Sequence, residues 1–245
     1  MLSDIWTSAA VASNADQFDS TTYRFTSTDG RAAIQEVSSS TRTVDIVEDL
    51  LYQNRNRIEL PNEKLHRLLA TPFERTDPTH VTRFRGAYDP GVYYCAQTIE
   101  TAACEFAYHK LANFLKDSPA LERLDSQAIM ITTAVSTLGI DIRLPPYSKY
   151  NRDLQSTSDY SKTHEVGRSA RKSGIGAIIY TSARGETSGP CVALLSQSAF
   201  KNPQPLALKY SWHLTVFENR AMGSDSEDSM SMEFEYLARH GFKPS

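Results

Sequence analysis

Gly91-Val92-Tyr93-Tyr94-Cys95-Ala96-Gln97-Thr98-Ile99-Glu100-Thr101-Ala102-Ala103-Cys104-Glu105 changes period midway. Residues 91–96 form a near-continuous β-branched and aromatic run, the pattern of a buried strand. Thr98 is a good N-cap, and a helix is expected from Ile99 to about Leu115. Ala103, Ala107 and Leu111 recur every four residues and predict its buried stripe. Thr98, Thr101, Glu105, Tyr108 and His109 share the other side. Glu105 and His109, four apart, are neighbours on one helix face.

Working outward, residues 1–18 read as a tail or a short, poorly specified helix, and 22–26 as a strand. Val44, Val47, Leu50 and Leu51 repeat at helical spacing and predict a helix over 41–54. Residues 55–63 are a polar connection, 64–70 a short helix, and 74–80 a loop. On the C-terminal side, 128–135 and 140–144 are expected as two strands, the second stopped by Pro145-Pro146. Residues 147–157 look loop-like. Asp159 caps a helix through Lys172, closed by Gly174. Strands follow at 175–180 and 191–195, and 206–217 alternates around Trp212. Residues 221–232 are Ser- and acid-rich and expected to be mobile, and a last short helical stretch follows. Strands and helices interleave without a regular βαβ rhythm. That predicts an α+β fold with a mixed sheet: a tail over 1–18 and one domain over 19–245.

Composition excludes several classes. Apolar residues make up 40% of the 245 and charged residues 22%, the balance of an ordinary globular chain. The 29 acids against 26 strong bases argue against a dedicated nucleic-acid binder. No apolar run exceeds about six residues, far short of the ~20 a spanning helix needs, so no membrane association is expected. Met1–Trp6 lacks the basic start of a signal peptide, and a cytoplasmic location is expected. Cys95, Cys104 and Cys191 are odd in number and lack CxxC spacing, so they read as free thiols rather than a disulfide framework or a zinc site.

Standard catalytic motifs fail. Gly174-Ile175-Gly176 lacks a third glycine and precedes a strand, the reverse of the dinucleotide-binding order. There is no phosphate-binding GxxxxGK[ST] loop. His164-Glu165 begins HExxH, but Arg168 stands at the last position. In Gly185-Glu186-Thr187-Ser188-Gly189 the serine is one place late for GxSxG. What remains is a scattered set: Arg83 before the 91–96 strand, Tyr94 within it, Glu105 on the helix and Ser182 at the end of a later strand. Residue types and spacing alone stop at an α+β domain.

Several blocks in order resemble the RES-domain toxins. They are Leu65-His66-Arg67-Leu68-Leu69-Ala70-Thr71-Pro72-Phe73, Thr82-Arg83-Phe84 and the 91–105 stretch. Asp159-Tyr160 through Gly174, Ile179-Tyr180-Thr181-Ser182-Ala183-Arg184 and Gly189-Pro190-Cys191-Val192-Ala193-Leu194 complete the set. Tyr23-Arg24 is similar to the family's N-terminal stretch, and the resemblance covers roughly residues 20–200. Departures are the acidic loop after Phe73, His164 where glutamine is expected, and a long 139–158 segment.

The resemblance implies an ADP-ribosyltransferase-like fold with a mostly antiparallel sheet and flanking helices. It implies a bacterial toxin that cleaves the nicotinamide–ribose bond of NAD and passes ADP-ribose to water or inorganic phosphate. NAD is then a substrate, with no cofactor or metal. The alternatives are a protein ADP-ribosyltransferase using the same pocket, or an inactive interaction module. The implied partner is an antitoxin, commonly a helix-turn-helix protein. Arg24 and Arg83 match the family's active-site arginines, Tyr94 its tyrosine, Glu105 its acid and Ser182 its serine. The residue types suit the chemistry. Guanidinium groups pair with phosphate oxygens in bidentate fashion. A fixed carboxylate stabilises the positive charge that grows on a ribose during glycosyl cleavage. Tyr94 is expected to stack on or bond the nicotinamide or ribose, and Ser182 to hold the carboxamide or Glu105. Arg184 is either a third phosphate ligand or a turn-stabilising charge. His109 is either a partner of Glu105 or a surface residue. The 221–232 segment is either a partner contact or a solvated loop.

Overall fold

The computed structural model describes residues 4–28, 65–117, 123–156, 158–182, 189–217, 220–225 and 230–235. The helix expected over 41–54, the connection over 55–63, Arg184 and the last helical stretch lie outside the described residues. Chain packing divides the protein into two compact units. One comprises Met1–Arg24, Lys64–Glu105 and Ile131–Ala207; the other comprises Phe25–Glu63, Phe106–Met130 and Leu208–Ser245.

The expected α+β class with a mixed, mostly antiparallel sheet is what the structure has. In the first unit, β1 (Asp16–Ser27), β2 (Tyr93–Ala96), β3 (Arg123–Asp141), β4 (Ala177–Thr181) and β5 (Pro190–Leu194) lie in the order β1-β2-β5-β4-β3. β1 pairs again with β3, so this order closes on itself. The Thr22 and Thr133 hydroxyls are 2.8 Å apart at that closure. β2, β5 and β4 pair antiparallel, and β3 runs parallel to β4. The 91–96 run is buried on both faces, as its composition predicts: Tyr93, Cys95 and Ala96 are all buried.

Helix α1 (Ser8–Ser13) carries the buried Val11, and before it Trp6 is buried with its ring stacked 5.1 Å from that of Tyr147. The N-terminal stretch is therefore a docked helix, fastened at its start where Ser173 Oγ donates to the Ser8 carbonyl at 2.7 Å. Helix α2 (Arg67–Ala70) occupies the expected short helical piece. Helix α3 (Ile99–Asp117) starts at the expected cap, with Thr98 Oγ1 accepting from the Thr101 N–H at 3.2 Å. The 147–157 region is not a plain loop. A 3₁₀ turn (Ser148–Tyr150) runs into helix α4 (Asn151–Leu154), and the buried Tyr147 and Leu154 anchor it.

Helix α5 (Ser161–Lys172) begins where Asp159 Oδ1 accepts from the Ser161 N–H at 2.9 Å. It ends at Gly174, whose φ of +70° suits a residue without a Cβ. Gly167 lets α5 approach the loop before β2, because a Cβ there would lie 2.8 Å from the Phe84 carbonyl oxygen.

Two expectations need correction. Residues 123–141 form one strand rather than two over 128–135 and 140–144. Gly139 stays extended opposite Ala177, and a Cβ on it would reach Phe18 Cβ at 3.0 Å. Within the 221–232 segment, 221–225 and 230–232 are strand, and 226–229 lie outside the described residues. In the second unit β6 (Ala207–Phe217), β7 (Arg220–Asp225) and β8 (Met230–Glu235) pair antiparallel, with Trp212 opposite Asp225 and Asp225 opposite Met230. Ala221, Gly223 and Asp225 turn inward on alternate positions of β7, while Arg220, Met222 and Ser224 face out. The core of this unit joins Leu214, Val216 and Ala221 to Ala107 and Leu111.

Candidate active site

The register of the sheet separates the candidate residues by face. Residues directly opposite on neighbouring antiparallel strands point to the same side. Tyr94 lies opposite Ala193, and Tyr180 opposite Cys191. Tyr94, Cys191 and Tyr180 therefore share a face, and strand alternation adds Ser182 just past the end of β4.

Glu105, on the second turn of α3, reaches that face. Ser182 Oγ donates to Glu105 Oε1 at 2.5 Å, and Cys191 Sγ lies 3.8 Å from the same oxygen. Burial pushes the Cys191 thiol far above its ordinary range, and the Glu105 charge pushes it further. Cys104, beside Glu105 in sequence, is pushed up to about 11 by burial and then by the same charge. Cys191 is thus a thiol that donates a weak hydrogen bond to the carboxylate.

Arg83 occupies a tight turn. Thr82 and Arg85 exchange backbone hydrogen bonds, N–H to carbonyl, at 2.9 and 3.1 Å, leaving Arg83 and Phe84 at the tip. The Arg83 side chain is 9% exposed. Its Nη1 donates to the Leu154 carbonyl at 2.6 Å. Its Cζ lies 5.3 Å from the Tyr160 ring centroid and 5.9 Å from that of Tyr180. It has no acidic partner among the described residues. A guanidinium has five N–H donors, so this buried cation retains donors for an incoming acceptor. Arg85, two residues on, does the opposite. It is fully buried and donates from Nη2 to the Arg75 and Asp77 carbonyls at 3.1 Å, and from Nη1 to that of His80. It organises the 75–80 loop.

Tyr94 is committed to the same turn. Its hydroxyl accepts from the Phe84 N–H at 2.9 Å and shares a hydrogen bond with Thr82 Oγ1 at 2.9 Å. Burial raises its phenol pKa. Its hydroxyl braces the turn that carries Arg83.

Tyr180 joins the two halves. Its ring meets Phe84 edge-on at 5.1 Å, and it lies directly opposite Cys191 in the sheet. Its phenol is raised well above its usual range, by burial first and then by Cys191, Glu105 and Tyr94, against the opposing charge of Arg83. Tyr94, Ser182 and the Glu105 carboxylate that Ser182 holds thus lie toward the sheet face of Tyr180, whose ring the Arg83 guanidinium approaches. Tyr180 and Tyr160 were not singled out from the sequence. Period-two alternation back from Ser182 was the available signal for Tyr180. Nothing local marked Tyr160.

Arg24 does not join them. Tyr23 lies opposite Ala96, which places Arg24 on the other face, with Tyr93 and Cys95. Its Cζ sits 4.7 Å over the Tyr93 ring, and Nη1 donates to the Tyr94 carbonyl at 2.7 Å. The pair of arginines expected to share one anion is therefore divided by the sheet. His109 is exposed on α3.

A family model described as RES domain matches residues 56–216. No curated protein matches. Among solved structures, the crystal structure of the M. tuberculosis MbcT–MbcA toxin–antitoxin complex contains a chain 14% identical to this one. The match covers 89% of this chain and 95% of that one, with a TM-score of 0.47.

Proposed function

The chain belongs to the RES-domain family, and on that premise we propose that it is a toxin that cleaves the nicotinamide–ribose bond of NAD and depletes the cellular pool. The observation that carries this reading is the buried guanidinium of Arg83. It lacks an acidic partner among the described residues and shares a sheet face with a carboxylate held by a serine and a thiol.

Arg83 takes the pyrophosphate, for which a planar fork of donors is suited. Glu105 faces the ribose, where cleavage builds positive charge, and Ser182 holds its carboxylate in one orientation so that little reorganisation is needed. Tyr94 contributes by bracing Arg83. Arg184 and Arg24 have no step here. Nicotinamide departs neutral, so no strong general acid is required, and ADP-ribose passes to water or inorganic phosphate. NAD is consumed as a substrate, and the scheme asks for no cofactor or metal. An ADP-ribosyltransferase-like fold, a cytoplasmic site of action and a neutralising helix-turn-helix antitoxin belong to the same proposal. The MbcT–MbcA chain is itself part of a toxin–antitoxin complex.

The test is incubation of the purified protein with NAD labelled on its adenylate. Release of nicotinamide with free ADP-ribose, or with ADP-ribose carrying a phosphate at C1, is expected. Glu105→Gln keeps an oxygen for Ser182 but loses the charge, and should lower kcat about 100-fold or more with little change in melting temperature. Label appearing on protein would convert the assignment to a transferase. Absence of nicotinamide release would refute it.

A further inference from the structure

The Arg83 turn projects from no helix or strand, yet it must hold a guanidinium in a fixed direction. Besides the Tyr94 hydroxyl, one stripe of α5 fastens it. His164, Arg168 and Arg171 stand at i, i+4 and i+7, and so share a helix face. Arg171 donates from Nη1 and Nη2 to the Phe84 carbonyl at 3.2 Å, and from Nη2 to that of Pro90 at 3.2 Å. Arg168 Nε donates to Asp89 at 3.1 Å, and Asp89 Oδ2 accepts from the Gly86 N–H at 2.9 Å. His164 Nε2 meets the Thr82 carbonyl at 2.9 Å.

The last contact differs from the others. A carbonyl only accepts, so Nε2 must carry the proton. The Thr82 carbonyl also accepts from the Arg85 N–H, so both of its lone pairs are engaged. The Thr82 carbonyl and the Arg83 N–H belong to one rigid peptide plane. Fixing the oxygen fixes the plane from which the Arg83 side chain departs. His164 also packs near Tyr160, with ring centroids 6.3 Å apart, and Tyr160 is one of the two rings flanking the Arg83 guanidinium.

We infer that His164 is a positioning residue for substrate binding: through the Thr82 carbonyl it aims Arg83 at the anionic part of the substrate. This rests on the reading of Arg83 as the pyrophosphate ligand. His164 takes no part in the proton transfers of the reaction; its work is done by the Nε2–H donor.

Two variants test it on the full chain with NAD as probe. His164→Leu removes the donor at similar bulk, and His164→Gln supplies an amide N–H within reach of the same carbonyl. A phosphate contact is made in the ground state and the transition state alike. Misaiming it should therefore raise KM for NAD about tenfold in His164→Leu, with kcat within about threefold. His164→Gln should return KM to within about threefold of the wild type. A merely structural histidine would lower the melting temperature and the active fraction, hence apparent kcat, and leave KM where it was. The inference is overturned by an unchanged KM in His164→Leu, or by His164→Gln binding NAD no better than His164→Leu. A wild-type protein that neither binds nor cleaves NAD would sink the reading of the site, and this inference with it. Cleavage by the wild type with an unmoved KM in His164→Leu would sink the inference alone.

Discussion

Two arginines flank the same strand and meet opposite fates. Arg24, half-buried on the Tyr93 face of β2, donates one hydrogen bond to the Tyr94 carbonyl and holds its Cζ over the Tyr93 ring. Arg83, on the Tyr94 face, is 9% exposed, makes one backbone hydrogen bond, stands near the Tyr160 and Tyr180 rings and meets no carboxylate among the described residues. A buried charge without a counterion is costly to keep. A fold retains such a cost where a ligand offsets it. On the proposed function Arg83 meets the substrate and Arg24 completes the structure, and sequence context does not separate the two. The face of the sheet does.

The largest effect should follow from removing Arg83. In Arg83→Met, kcat/KM for NAD should fall about 100-fold or more, the size of a lost hydrogen-bonded charge pair of up to ~3 kcal/mol. Its melting temperature should stay level or rise, because a methionine in that aromatic slot carries no charge to desolvate. Steady-state kinetics and thermal melts on one preparation check both halves. A melting temperature several degrees lower with intact kinetics would exchange the roles of the two faces.

Arg24→Met should give the mirror result. It strips a charge-assisted donor from the Tyr94 carbonyl and a cation from the Tyr93 ring, so stability should fall by about 1–2 kcal/mol. With its contacts on the far face, kcat/KM should stay within about threefold of the wild type. Urea unfolding followed by Trp fluorescence measures the first quantity, and an NAD assay below the unfolding midpoint the second. Activity as low as in Arg83→Met would reunite the two arginines in one site.

Much of the frame was legible in the sequence. The Tyr93–Ala96 strand, the Thr98 cap and the Ala103-Ala107-Leu111 stripe rest on local signals, namely residue type, cap chemistry and period. The face of Arg24 was not legible, because parity between two strands is set by register. Here that means Tyr23 opposite Ala96, and a slip of one residue would have put Arg24 beside Tyr94. A strand buried on both sides hides which of its adjacent tyrosines matters, since neither face is polar. The β7–β8 hairpin was hidden for a related reason. Ala221 and Gly223 are small enough to turn inward without a strong apolar signature, and Gly223 sits against the Trp212 ring, where a Cβ would come within 2.8 Å. Ser182 and Glu105 were recoverable through family resemblance, but their mutual contact crosses 77 positions of sequence and no spacing rule predicts it.

The thiols provide the smallest and sharpest test of the division between faces. Cys95, on the Arg24 face, is pushed up to about 12 by burial, and Glu105 is not among its causes. Cys104 and Cys191 are raised by burial and also by the Glu105 charge. An anionic neighbour disfavours a thiolate, so neutralising it lowers the thiol pKa and increases the thiolate present at a given pH. In Glu105→Gln, alkylation of the part-exposed Cys104 at pH 9 should therefore accelerate severalfold, since the thiolate is the nucleophile. Cys95 should remain as unreactive as in the wild type. Mass spectrometry of peptides from the folded protein reads both sites in one experiment. Equal acceleration at Cys95 would mean that the variant loosens the whole sheet, and the field of Glu105 would not then be confined to the face it shares with Ser182 and Tyr180.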